Sequence, residues 1–204
     1  MAVDPYFDVE HGVLRNRLGI TDPAELGRIE ARITAMVGQE LDEQPVAGVF
    51  DLRHLQAIHR RLFGPLYDWA GELRTVNISK PGSPFCPAAR LESFAREVFG
   101  EIERGHALRR LPYDRAVDRL VHHLAEVNAL HPFREGNGRA YRAFFRHWAR
   151  EAQVDLDWRG LDPERNGHAF RVSLAGHLEP LRALIAERVR PLDRTRDRGS
   201  GIDR

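Results

Sequence analysis

The chain predicts an all-α bundle carrying one small β-hairpin, and three observations lead there. Apolar residues recur at helical spacing in several long runs, each bounded by capping residues, prolines or glycines. One short segment, Thr75-Val76-Asn77-Ile78-Ser79, alternates instead and runs into the turn chemistry of Lys80-Pro81-Gly82-Ser83. Between two helical runs, His131-Pro132-Phe133-Arg134-Glu135-Gly136-Asn137-Gly138-Arg139-Ala140-Tyr141-Arg142 collects a titratable base, a carboxylate, a glycine-flanked turn and two arginines.

Thr21-Asp22-Pro23 opens the first helix with a cap and a first-turn proline, and Leu26, Ile29, Ile33 and Val37 form its apolar face. Asp51 caps a second, with Leu52, Leu55, Ile58 and Leu62 on one side, stopped at Gly64-Pro65. Tyr67 to Gly71 reads as a short turn. Leu73 to Pro87 is the hairpin: Thr75–Ser79 goes out, Pro84-Phe85-Cys86 returns, and the tip is exposed. Pro87 starts a helix through Leu91, Phe94, Val98 and Ile102, ending near Gly105.

From Pro112 runs a helix whose stripe of Ala116, Val117, Leu120, Val121, Leu124 and Val127 must be buried. It stops at Leu130-His131-Pro132, because a residue before proline is pushed out of the helical region. After Gly138 a further helix sets Tyr141, Phe144, Phe145 and Trp148 on one face. Arg139, Arg142, Arg146 and Arg150 fall on the other, and for Arg146 and Arg150 a solvated face is expected. Leu161-Asp162-Pro163-Glu164 begins another helix, and Glu179 to Val189 forms the last. Asp193 to Arg204 is charged and reads as a disordered tail.

Composition narrows the function. With 204 residues the chain suits one well-buried core. A net charge of +1 lacks the basic excess of a dedicated nucleic-acid surface, so no direct nucleic-acid binding is expected. No run of about 18 apolar residues exists to cross a membrane as a helix. Nor does Met1-Ala2-Val3-Asp4-Pro5-Tyr6-Phe7-Asp8 look like a signal peptide. Cys86 is the sole cysteine, which fits a reducing cytoplasm.

Physically, residues 131–142 suit a polyphosphate. Gly136-Asn137-Gly138 lets successive N–H groups converge on an anion at the positive end of the next helix. Arg139 and Arg142 share a helix face and can fork onto neighbouring phosphates. Glu135 is placed to hold Mg²⁺ against phosphate oxygens, and His131 has a resting pKa suited to a general base. Phe133 offers no chemistry and reads as an apolar anchor.

These residues resemble the Fic family signature H-x-F-x-[DE]-G-N-G-R-x-x-R at every specified position. Leu66-Tyr67-Asp68-Trp69-Ala70-Gly71-Glu72-Leu73-Arg74 and the alternating segment after it resemble the approach to that family's flap hairpin. The resemblance covers residues 5–190, so residues 1–192 are expected to form the Fic domain and 193–204 the tail. It implies a protein adenylyltransferase that moves AMP from ATP to a Ser, Thr or Tyr hydroxyl of a target protein. His131 would be the general base and Phe133 the buried anchor. Glu135 would hold Mg²⁺ between the α- and β-phosphates, which Gly136, Asn137 and Gly138 would cradle. Arg139 would meet the β-phosphate and Arg142 the γ-phosphate. Lys80, Pro81, Gly82, Ser83, Pro84 and Phe85 would form the flap that clamps the target by strand addition.

Relatives of this type are often restrained by an inhibitory [ST]-x-x-x-E-[GN] helix. Thr21…Glu25 is followed by Leu26 and Ser93…Glu97 by Val98, so neither completes it. The resemblance then implies a toxin held down by a separate small antitoxin whose glutamate reaches Arg142. Three alternatives stand beside it. A kinase-like relative would move the γ-phosphate, but Gly138-Arg139 are intact, which favours AMP. A zinc hydrolase would use His122, Glu126 and His131, without an H-E-x-x-H. A pure phosphate-binding module would have no use for a base and a metal ligand.

Overall fold

The computed structural model describes residues 4–80, 83–104, 111–151 and 153–191; the charged segment 193–204 and the turn residues Pro81 and Gly82 lie outside them. Seven helices carry the fold among the described residues: α1 (Pro23–Glu43), α2 (Leu52–Phe63), α3 (Leu91–Arg104), α4 (Tyr113–Leu130), α5 (Asn137–Glu151), α6 (Pro163–Ser173) and α7 (Glu179–Ala186). The predicted caps are there. Asp22 accepts from the Glu25 N–H (2.6 Å), Asp51 from that of His54 (2.8 Å) and Asp162 from that of Arg165 (2.6 Å), each satisfying an N–H that a helix start would leave unpaired.

Strand pairing is more extensive than the single hairpin expected. β1 (Phe7–Asp8) pairs with β2 (Val13–Leu14), β3 (Ser79–Lys80) with β4 (Ser83–Pro84), and β5 (Val154–Leu156) with β6 (Val189–Pro191), all antiparallel. The last helix therefore stops at Ala186, and Val189, predicted as its end, joins β6 opposite Leu156. Two or three residues carry too little alternation to be seen in a sequence.

α4 runs through the middle of the core, with Val117, Leu120, Leu124 and Leu130 all buried. It packs on α3, α5, α6 and α7, while α2 packs on α5 and α1 closes over both. That last contact corrects the expected solvated arginine face. Arg146 pairs with the Asp42 carboxylate and Arg150 donates to the Asp42 carbonyl (3.0 Å), both at the end of α1. Acids on α1 meet arginines on α5, so the face is an interface.

Candidate active site

α4 ends at His131, whose backbone turns left-handed (φ 44°, ψ 62°). A non-glycine residue there carries roughly 1–2 kcal/mol of strain, so its surroundings must hold it. Arg74 does. Only 2 % exposed, its Nε donates to the His131 carbonyl (2.8 Å), its Nη1 to that of Val76 (2.7 Å), and its Nη2 to that of Cys86. Its own N–H donates to the Pro132 carbonyl (2.9 Å). One planar guanidinium thus ties the end of α4 to both arms of the hairpin.

The His131 ring has a defined tautomer. Nδ1 lies 3.2 Å from the Asn128 carbonyl; a carbonyl only accepts, so Nδ1 carries the proton and Nε2 keeps its lone pair. Phe85 stacks on the ring at 3.7 Å and 12°. Burial pushes the imidazole down to about 3, with Lys80 and Arg74 adding to the effect and the Asn128 carbonyl opposing it. The ring is therefore neutral at physiological pH, the form a proton acceptor needs.

Behind the loop stands His59, fully buried and stacked on Phe133 (3.8 Å, 26°) and Phe63 (4.7 Å). Its Nδ1 accepts from the Gly71 N–H (2.8 Å), and its Nε2–H donates to the Glu135 carbonyl (2.9 Å). Phe133 is 0 % exposed, the anchor its sequence position suggested. Asn137 bonds Phe133 twice, accepting its N–H (2.9 Å) and donating to its carbonyl (2.8 Å). The Asn137 side chain is thus engaged inside the protein, which leaves its backbone N–H as the group expected to meet an anion. Gly136 sits at φ +77° with the Phe63 ring where a Cβ would go, so glycine is obligatory. Gly138 differs, since a Cβ there would meet nothing closer than Tyr141 Oη at 3.6 Å.

The two arginines have unlike surroundings. Arg139 reaches Glu30 on α1 (2.6 Å), the Thr34 hydroxyl (3.2 Å) and Glu135 (3.5 Å), and lies over the Phe63 ring at 4.7 Å. The Tyr67 hydroxyl donates to the other Glu30 oxygen. Among the described residues no carboxylate pairs with Arg142. Burial depresses its pKa, the mark of a cation without a counter-charge. Glu135 is about half exposed, and its Oε1 takes the Gly136 N–H (2.8 Å) and faces Arg139. Its Oε2 is left for a hard cation, so the residues fit Mg²⁺.

The hairpin departs from expectation in extent and in one side chain. Its ladder has only two rungs, and Phe85, expected at the exposed tip, is buried against His131. The Phe85 N–H donates to the Ile78 carbonyl (3.4 Å). That makes Ser79 opposite Pro84 a pair that does not exchange hydrogen bonds, so the Ser79 N–H and C=O point away from the partner strand. A cavity of about 470 Å³ opens beside it, lined by Phe85, Cys86, Arg90, Phe94 and Glu97. The zinc alternative fails: His122 bonds Glu101 (3.1 Å), not Glu126, and nine helical residues put His131 roughly 13 Å further along the axis. Sequence reasoning missed Glu30, His59, Arg74 and Asn128. His59 alone left a sign, a polar residue falling within the apolar stripe of α2.

Residues 49–149 match the Fic/DOC family. The chain is 36% identical over 186 residues to the probable protein adenylyltransferase Fic of Salmonella typhimurium, covering 91% of this chain and 92% of that one. It is 40% identical over 182 residues to protein adenylyltransferase VbhT of Bartonella schoenbuchensis, covering 89% of this chain but 38% of VbhT. Among solved structures, BepC of Bartonella tribocorum with bound AMPPNP superimposes with a TM-score of 0.87 at 22% identity, covering 92% of this chain and 97% of BepC. The N-terminal Fic domain of a Bartonella quintana Bep effector with bound ADP gives 0.86 at 23%, covering 91% and 94%. A loop matched at every signature position, on this helical frame and with these relatives, means that the chain belongs to the Fic/DOC family.

Proposed function

We propose that the chain is a protein adenylyltransferase, moving AMP from ATP to a Ser, Thr or Tyr hydroxyl of a target protein. The observation that carries this is the His131 tautomer: an Nε2 lone pair on a neutral ring, one turn of loop from the N-terminus of α5. In the reaction the hydroxyl gives its proton to Nε2, its oxygen bonds the α-phosphorus, and the bond from that phosphorus to the bridging oxygen breaks to release pyrophosphate. The N–H groups of Asn137 and Gly138, first in α5 and lacking intrahelical acceptors, face the phosphates. Gly138 needs no glycine for packing, and the space where a Cβ would sit admits a phosphate oxygen. Arg139 and Arg142 bind the β- and γ-phosphates. Glu135 would hold Mg²⁺, which would supply positive charge beside the leaving group. An adenine nucleotide is the ligand of both Bartonella structures, which supports ATP here.

The hairpin receives the target. The outward N–H and C=O of Ser79 offer one edge position for an extended segment. Regulation follows from the unlike arginines. α1 already supplies a glutamate to Arg139, while among the described residues none reaches Arg142, which supports a separate antitoxin donating a glutamate to Arg142 and makes this chain the toxin of such a pair. The cytoplasm, where ATP is abundant, is the compartment this chemistry requires. No helix among the described residues is long and apolar enough to cross a membrane.

The test is transfer of label. With Mg²⁺ and ATP labelled at the α-phosphate, the chain should mark a discrete protein in a lysate, and label at the γ-phosphate should not transfer. His131→Ala should lower the rate by about 10²–10⁴-fold. Undiminished labelling by that variant would remove His131 from its role.

A further inference from the structure

Among the described residues, one cluster of metal-ligating side chains lies outside the loop. Glu101 on α3 and His122 and His123 on α4 each offer a donor atom, all within 4.8 Å of one another. Glu101 Oε2 and His122 Nε2 are already 3.1 Å apart, on side chains about half exposed. His123 is the anomaly. Its ring is 0 % exposed, yet among the described residues neither nitrogen meets a hydrogen-bond partner. Stranding a buried polar group in this way is unfavourable. Its nearest rings are His122, with centroids 5.0 Å apart, and Trp148, edge-on at 5.4 Å.

We propose that Glu101, His122 and His123 form a binding site for a divalent metal ion of the zinc type, which clips α3 to α4. Two imidazoles and one carboxylate suit zinc and its transition-metal neighbours rather than Mg²⁺ or Ca²⁺, which prefer oxygen. Ligand bonds of about 2.0–2.2 Å place donor atoms roughly 3.4 Å apart in a tetrahedron. The Glu101 and His122 side chains both lie at the surface and can turn to bring the donor atoms to that spacing around His123. His123 gains a partner for a nitrogen that has none, and water takes the fourth position on the exposed side. The site is separate from the chemistry, since His131 lies two and a half helical turns further along α4. It shares a helix with the base and can stiffen it.

Binding is measured on tag-free, chelator-treated chain with Co²⁺ and Zn²⁺ alone. Co²⁺ should give the ligand-field absorption of a four-coordinate site at one ion per chain, and Zn²⁺ should raise the Tm. Changes to outer-shell partners alone shift metal affinity by about 10–100-fold, so Glu101→Gln and His122→Gln should each weaken Zn²⁺ binding about ten-fold or more. Both positions are exposed, so in chelator the Tm should fall by no more than the loss of surface polar contacts accounts for, and the rate of AMP transfer should not change. Glu135→Gln should bind Co²⁺ as the parent does. Lack of the absorption band, or a band that survives both Glu101→Gln and His122→Gln, overturns the proposal.

Discussion

Loop 131–142 and hairpin 79–86 meet at the stacked rings of His131 and Phe85, yet they are built on opposite principles. The loop is over-determined. His59 holds the Glu135 carbonyl, Asn137 closes on Phe133 with two bonds, and Gly136 presses on Phe63. The hairpin has two rungs, and its ordered attachments gather at the base, where the Cys86 N–H meets the Ala129 carbonyl (2.9 Å) and Arg74 spans both arms. A phosphate-binding loop gains from being fixed before the ligand arrives, because the N–H groups then need no reorganisation. A strand that must take in a second chain gains from an edge left open.

Lowering the pH should separate the two regions most strongly. His59, His123, His131 and His147 are buried, with pKa values lowered to about 4, 4, 3 and 4. Each pKa lies below the unfolded value, so the stability each contributes is complete above about pH 6.5 and is lost as pH falls towards the folded value. At pH 5 the loss is about 2 kcal/mol per histidine, several kcal/mol in all. Urea midpoints at pH 7 and pH 5 measure it, and amide exchange should show the loop opening with the core while the hairpin amides exchange quickly at both. Equal midpoints would mean that these rings are hydrated in solution.

Arg74→Met cuts the link between the regions. Leaving the carbonyls of His131, Val76 and Cys86 without a donor should cost about 3 kcal/mol, read from urea unfolding. Transfer should fall with it, and Arg74→Lys, with three donors in another geometry, should recover part of both. A Met variant as stable as the parent would show that the two regions are held independently.

Glu30→Gln acts on the loop alone. Arg139 loses the counter-charge that holds it, and the KM for ATP should rise about ten-fold, the equivalent of about 1.4 kcal/mol, with a smaller change in kcat. A lower KM would instead mean that Glu30 competes with phosphate for Arg139. The smallest effect on folding belongs to the hairpin. Ser79→Pro removes an outward donor without breaking a cross-strand hydrogen bond, so unfolding should shift by less than about 0.5 kcal/mol. The KM for the target should rise about ten-fold and that for ATP should not move. Unaltered kinetics would place the target elsewhere than this edge.

How much of this was legible in the sequence varies by region. Caps at Asp22, Asp51 and Asp162, the helical stripes and the whole 131–142 segment were readable, because a cap, an apolar period and a glycine turn act within a few residues. Phe133 declared itself as an anchor for the same reason. Glu30, Arg74 and His59 reach the loop from chain positions 109, 57 and 76 residues away, and no local pattern can announce a partner at that distance. The burial of Phe85 was missed because turn chemistry nearby is silent about which hairpin residue faces inward.

The sequence by itself determined the helices, their capped starts and the order of chemical groups in the loop, since short-range sterics, capping and hydrophobic periodicity are properties of neighbouring residues. Only the tertiary structure decided the tautomer of His131, the pairing of Arg139 with Glu30, and the left-handed turn that aims the His131 ring. Those depend on burial and on carbonyls and carboxylates delivered by other helices, and a charge or a proton settles according to the dielectric and the partners around it.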